Sequence, residues 1–283
     1  NLKIKSKKIG ISISGYSVIV KKVSLEKMDD NSLTEYIKNE AEQYIPFDVD
    51  DVYLDFQKLP QRKDNNERVD VMLVAAKKEI VDNYIKMLND IKLDVVLVDV
   101  DGFALENIWE SVSGKIENVA LVDIGASKMN INIISEGISV LARDIVVGSE
   151  QLTDQIANAL DIDYNQAERI KLGIEIIEDK KLEISNIFNQ TCTQWVLEIK
   201  KAIDLYIANN PEKPLQSLVL SGGGSKVNGL AKYIEEETAL KVIAFNPLST
   251  MIIENKKFDS SYLDMIGPEM AIASGIAIRK SPF

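Results

Sequence analysis

The chain has 283 residues, 46% hydrophobic and 27% charged, the balance of one large or two medium folded domains rather than of a disordered or cysteine-stapled chain. Lys and Arg total 33 against 44 Asp and Glu, and the formal charge of −11 argues against a protein built to neutralise a nucleic-acid backbone. The absence of histidine excludes Ser-His-Asp and Cys-His triads and His-ligated zinc, while one cysteine, Cys192, excludes an intrachain disulfide and fits a reducing compartment.

In chain order, Ile9 to Ile13 alternates with serines, Gly15-Tyr16 turns the chain, and Ser17 to Val23 is β-branched, which predicts a hairpin. Ser32-Leu33-Thr34-Glu35 has the pattern of a capping box. Leu33, Ile37, Ala41 and Tyr44 follow at helical spacing until Pro46 stops the run. Val52 to Leu59 and Val69 to Ala75 are expected as partner strands around a polar loop, 61–68. Val81, Tyr84, Ile85 and Leu88 mark another helix, and Val95 to Val100 a short buried strand.

A second unit begins after the polar stretch 111–118. Val119 to Val122 is a strand ending at Asp123, Gly125-Ala126-Ser127 turns, and Met129, Ile131 and Ile133 alternate on the return strand. Ile138 to Ala142 adds a further arm, followed by helices over 149–160, 164–172 and 182–208. Leu218 to Leu220 is a strand, Ser221-Gly222-Gly223-Gly224-Ser225-Lys226 a glycine turn, and Val227 opens a helix. Glu269 to Arg279 is a helix of small residues. No apolar run approaches the ~20 residues that cross a bilayer, and the first ten residues contain no apolar core of a signal peptide, so neither segment is expected.

Three stretches carry candidate chemistry. In VALVDIGASKMNINI, a strand delivers Asp123 to a turn whose Gly125 permits close backbone approach, so N–H groups there can face phosphate oxygens. A carboxylate in that position could hold Mg²⁺ through water. In DYNQAERIKLG, Asp163 and Gln166 cap a helix, and Glu168 and Lys171, three apart, project from one face. In LVLSGGGSKVNGL, three glycines between strand and helix expose a helix N-terminus, although the pattern is neither a P-loop nor GxGxxG. Taken alone, the first reads as a plain hairpin and the second as a surface ion pair, while three consecutive glycines, each costly in backbone entropy, sit less easily as a mere tight turn. Cys192, between Thr191 and Trp195, has the surroundings of an apolar filler.

The order of these stretches resembles the second domain of the actin/Hsp70/sugar-kinase superfamily. SISGYSVIVKKV, NEAEQYIPFDVDDVYLDFQ, VMLVAAKKEIVDNYIKML and VVLVDVDGFAL narrow the resemblance to the PilM family of actin-like type IV pilus assembly proteins, over about residues 7 to 280. It implies an α/β, actin-like ATPase fold with ribonuclease H-like halves and a small inserted β/α subdomain. The expected divisions are 1–8 (remnant of the first domain), 9–96 (an inserted subdomain of the FtsA 1C type), 97–117 (part of IA), 118–265 (IIA/IIB) and 266–283 (a helix returning to IA). By the same resemblance ATP or ADP with Mg is the ligand. Asp123, Gly125, Ser127 and Lys128 would lie at the phosphates, with Asp123 on the metal through water. Glu168 and Lys171 would approach the ribose or base, and Gly222, Gly223, Gly224 and Lys226 the adenosine.

The implied partner is a PilN-like bitopic membrane protein, bound through its N-terminal cytoplasmic tail, with other pilus platform proteins and self-association besides; no nucleic acid is expected. The chain would thus be cytoplasmic, attached to the inner face of the membrane through partners. Tyr44, Ile45, Pro46 and Phe47, an apolar cluster where a helix stops, are the candidate groove for the tail, the alternative being that these side chains simply fill the subdomain core. An FtsA-like division protein and a sugar-kinase-type phosphotransferase are the alternatives; the first lacks support in an amphipathic terminal helix, the second in a catalytic base. Family members open with a first Asp-Ile-Gly-Ser-Ser hairpin, and one Asp-Ile-Gly is present here, so the chain is expected to be a fragment without that loop. ATP turnover in a phosphate-release assay should therefore stay below about 1 s⁻¹, the low end for enzymes.

Overall fold

The computed structural model describes residues 5–60, 67–114, 116–252 and 259–279. Residues 61–66 of the expected polar loop, 1–4 of the expected first segment and 280–283 of the last lie outside them. The chain forms two units, 1–101 with 279–283 and 102–278.

In the first unit β1 (Lys8–Ile13), β2 (Val18–Glu26), α1 (Asp30–Glu40), β3 (Val52–Lys58), β4 (Arg68–Lys77), α2 (Lys78–Asp90) and β5 (Asp94–Val100) follow one another. The expected hairpin of β1 with β2 does not form. β1 pairs in parallel with β5, and β2 pairs antiparallel with β4 in a sheet of order β2-β4-β3. The nine-residue register of β2 on β4 sets Val23 beside Val71 and Leu25 beside Val69, so one face of the sheet becomes apolar. That face buries Leu33, Ile37 and Ala41 of α1 and its continuation, together with Ile45. Side-chain burial across a long register outweighs the local turn signal.

α1 also starts earlier than the Ser32 pattern predicts. Asp29 is the N-cap, its carboxylate accepting from the N–H groups of Asn31 (3.0 Å) and Ser32 (3.1 Å). Ser32 lies inside the first turn and donates its hydroxyl to Asp29 at 2.6 Å. These bonds hold the Asp29 carboxyl below its ordinary range, the Ser32 hydroxyl contributing most. At the ends of β1 and β5, Asp101 accepts from Ser12 and from Ser14 (2.6 Å), and Asp99 accepts from Arg279 at 3.0 Å. Burial pushes the Asp99 carboxyl up despite that guanidinium.

The second unit begins within α3 (Asp101–Ser113). It continues through β6 (Val119–Ile124), β7 (Met129–Ser135), β8 (Ile138–Ile145), α4 (Glu150–Leu160), α5 (Tyr164–Lys171) and α6 (Lys181–Asn209). β9 (Ser217–Ser221), α7 (Leu230–Thr238), β10 (Val242–Ala244), α8 (Ser260–Ile266) and α9 (Ala271–Ile278) complete it. The sheet order is β10-β9-β6-β7-β8; β10, β9 and β6 are mutually parallel, and β7 and β8 form an antiparallel meander. Period-two alternation splits the side chains of β6. Ala120, Val122 and Ile124 join the core with α4, α6 and α7, including Trp195 and Ile199. Val119 and Leu121 face Leu105 and Ile108 of α3. α9 lies against α3 at Gly275, where a Cβ would come within 1.7 Å of the Ala104 carbonyl oxygen.

Leu33 is fully buried between α1 and the three-stranded sheet. Leu33→Ala should cost ~2–5 kcal/mol, read as a lower urea midpoint at unchanged slope.

Candidate functional site

The parallel register of β6 with β9 sets Asp123 directly beside Ser221, and the Ser221 hydroxyl donates to the Asp123 carboxylate at 2.7 Å. Both strands end there, so the turn at 125–128 and the glycine turn at 222–226 leave the same edge of the sheet. The carboxyl ends of parallel strands are where open α/β sheets receive ligands.

The first turn is closed by Gly125 N–H donating to the Lys128 carbonyl at 2.9 Å. Its first two carbonyls are taken by the start of α4: Ser149 N–H donates to Gly125 and Glu150 N–H to Ala126, each at 2.9 Å. In a trans peptide the N–H points opposite to the C=O. The Ala126 and Ser127 N–H groups therefore face away from α4, on the outer side of the turn.

The second turn is shaped by Ile124 at the end of β6. A Cβ on Gly222 (φ +81°) would meet the Ile124 carbonyl oxygen at 2.4 Å, and one on Gly224 would meet Ile124 Cγ2 at 2.4 Å. Gly223 differs: a Cβ there would have Glu269 Cγ at 3.6 Å, an ordinary contact. Two of the three glycines are thus required by packing, and the half-exposed middle one is not. Lys226 pairs with Glu269 and donates to the Met265 carbonyl at 3.3 Å, fastening the turn to the segment that leads into α9.

α5 links the two turns. Asp163 caps it by accepting from Asn165 and Gln166, as its sequence predicts, whereas the Gln166 side chain donates to Glu175 at 2.7 Å instead of joining the cap. Lys171 is buried rather than displayed on the surface. Its ammonium lies 2.6 Å from the Glu168 carboxylate and donates to the Ser149 carbonyl at 3.3 Å. Glu168, half-buried, also accepts from the Thr153 hydroxyl at 2.7 Å. The Lys171 carbonyl accepts from Asn228 N–H, and Val227 N–H returns to the Gly224 carbonyl, both at 3.1 Å. The three stretches singled out in the sequence thereby form one ring: turn 125–128, the start of α4, Glu168 and Lys171, the glycine turn, and Ile124 back to the first turn. Gly148 and Ser149 belong to this ring from outside the three stretches, and Ser221 and Asn228, inside the third, join it although the sequence does not mark them as site residues.

In the first unit Tyr44, Ile45, Pro46 and Phe47 divide. Ile45 is core, Pro46 is exposed, and Tyr44 and Phe47 are half-buried. Lys77 stands 4.8 Å from the Phe47 ring centroid and Lys21 6.0 Å from that of Tyr44. Cys192 is fully buried in the second core, and burial pushes its thiol up to about 12, too high for nucleophilic use. Among the described residues no cluster of three Cys, Asp or Glu could cage a metal, and no helix is long and apolar enough to cross a membrane.

Among solved structures the chain is similar to the PilM-PilN type IV pilus biogenesis complex, at 26% identity and a TM-score of 0.82, over 98% of this chain and 80% of that one. It is also similar to MreB5 of Spiroplasma citri bound to ADP, at 14% identity and a TM-score of 0.50, over 71% of this chain and 65% of that one. The latter likeness is one of fold, which is the actin-like ATPase fold. The family model described as type IV pilus assembly protein PilM matches residues 1–281, and the chain belongs to that family.

Proposed function

We propose that this chain is an assembly protein of the type IV pilus platform. In this reading it sits at the inner face of the cell membrane, holds the cytoplasmic tail of a PilN-like membrane protein, and carries ATP or ADP with little turnover. The observation that carries the partner is the likeness, along nearly the whole chain, to a protein solved in complex with PilN. The inserted-subdomain role falls to the three-stranded sheet with α1, and the tail lies along Tyr44 and Phe47. An extended peptide gains most from half-buried rings that it can finish burying, and Lys21 and Lys77 already order those rings.

For the nucleotide, the ring in the second unit supplies the parts. The Ala126 and Ser127 amides face the phosphates beside Gly125 and Lys128. Gly222, Gly223, Gly224 and Lys226 lie along the adenosine, and Glu168 with Lys171 forms the wall by the ribose. The support is Gly223, a glycine that neither backbone angle nor packing demands, in the position where a ligand would take the space of a side chain. Asp123 suits a magnesium ion that keeps its water. One carboxylate, with a serine hydroxyl on it, offers an acceptor to coordinated water rather than a cage. A bound magnesium would supply charge neutralisation at the phosphates; Asp123 orients its water.

Two measurements test these parts separately. A labelled PilN-type tail should bind the folded protein, and Phe47→Ser should weaken binding by about tenfold or more. No binding to wild type defeats the partner reading, and equal binding by the variant removes only Phe47. Calorimetry with ADP should show binding that Gly223→Val weakens by about tenfold or more while the melting curve holds; unchanged affinity takes the glycine turn out of the site.

A further inference from the structure

We infer that Gly148, which lies just before α4 and outside the three stretches singled out in the sequence, is the positioning residue of the phosphate-facing turn. This rests on the nucleotide reading above and adds to it the residue that sets the donors. An ideal Cβ on Gly148 would stand 2.1 Å from the Ala126 carbonyl oxygen, 2.4 Å from the Ala126 carbonyl carbon and 2.6 Å from Ser127 N. All three atoms are backbone, so no flexible side chain can move aside. Gly148 is buried, and its φ lies outside the left-handed region. Close approach, not backbone freedom, is what glycine provides here.

The consequence lies in the orientation of two peptide planes. With Gly148 bare, the chain runs close enough for Ser149 and Glu150 to donate to the Gly125 and Ala126 carbonyls. Those two bonds satisfy N–H groups at the start of α4 that would otherwise lack intrahelical partners. They also fix both carbonyls inward, and so the Ala126 and Ser127 amides outward. No backbone carbonyl among the described residues accepts from either amide. The pair forms a small anion-facing concavity, backed by the positive end of an eleven-residue helix. The ligand class is a nucleoside diphosphate or triphosphate, met at its phosphates. A methyl group at 148 pushes the turn off α4 and rotates both planes. The rest of the ring, from Glu168 to the glycine turn, is left in place.

The test compares ADP with adenosine on wild type and Gly148→Ala, by calorimetry or competition. Gly148→Ala should weaken ADP about tenfold or more and leave adenosine unchanged, since lost hydrogen bonds to a charged group are worth that much. An unchanged ADP affinity overturns the inference. So does a parallel loss of ADP and adenosine, which a merely structural defect would produce. Should the variant fail to fold, amide hydrogen exchange on wild type decides. ADP must slow exchange at Ala126 and Ser127 more than adenosine does, and equal protection overturns the inference. A wild type that binds ADP no better than adenosine defeats this inference alone. One that binds neither defeats the nucleotide reading and this inference with it.

Discussion

The parallel pairing of β6 with β9 is the constraint on which the second unit depends. It is non-local, joining residues 98 apart at Asp123 and Ser221. It fixes at once which side chains of β6 enter which core and where the two turns emerge. Asp123 shares a face with Val119 and Leu121, toward α3, while Ile124 points the other way beneath the glycine turn. A slip of one residue would exchange these roles, turning the Asp123 carboxylate toward the core that Ala120 and Val122 now fill and leaving Gly222 and Gly224 without Ile124 to pack on. Core and site therefore share a single register, and the apolar residues that pay for it also aim the polar ones.

Elements with strong local signals were legible in the sequence. The twenty-nine residues of α6, the cap of α5 at Asp163 and the strand–turn–strand at Asp123 all have their chemistry in consecutive residues. Where the deciding partner is distant, the local signal misleads. Gly15-Tyr16 has the look of a hairpin turn, yet β1 and β2 part because β4 and β5 offer longer apolar registers. Ser32 has a capping pattern, yet Asp29 presents a full carboxylate three residues earlier. α3 begins with Asp101-Gly102, a turn dipeptide in isolation; it is a helix because Leu105 and Ile108 are buried against the sheet. α8 and β10 are short and have too little periodicity to announce themselves.

The candidate site divides along the same line. The Asp-Ile-Gly turn and the glycine run are visible as glycines next to strands. Their connection uses the ammonium of Lys171, which the sequence does single out, on the Ser149 carbonyl, together with backbone groups of Ser149, Lys171 and Asn228, which every residue possesses and no residue type could reveal. Gly148 was invisible for the reverse reason: one glycine between Val147 and Ser149 looks like any loop glycine until the carbonyl it faces is known. The glycine run shows the converse, since a pattern that looks uniform in sequence separates in space into two packing requirements and one open position.

Two of the lysines that an anion-binding reading draws on, Lys171 and Lys226, each face a glutamate, Glu168 and Glu269. Lys171 is moreover buried, where removing one partner would leave an uncompensated charge, so the pair has to be kept whole for the fold. In a chain of formal charge −11, neither lysine then offers a net positive charge to a phosphate. Beside Lys128, attraction for an anion at the first turn then comes from oriented dipoles, namely the outward amides of Ala126 and Ser127 and the start of α4 behind them. Such a field is short in range, insensitive to pH, and dependent on geometry to a fraction of an ångström. It discriminates by fit rather than by charge, which under the proposed nucleotide reading would let the turn hold one phosphate group while a net charge of −11 disfavours other polyanions.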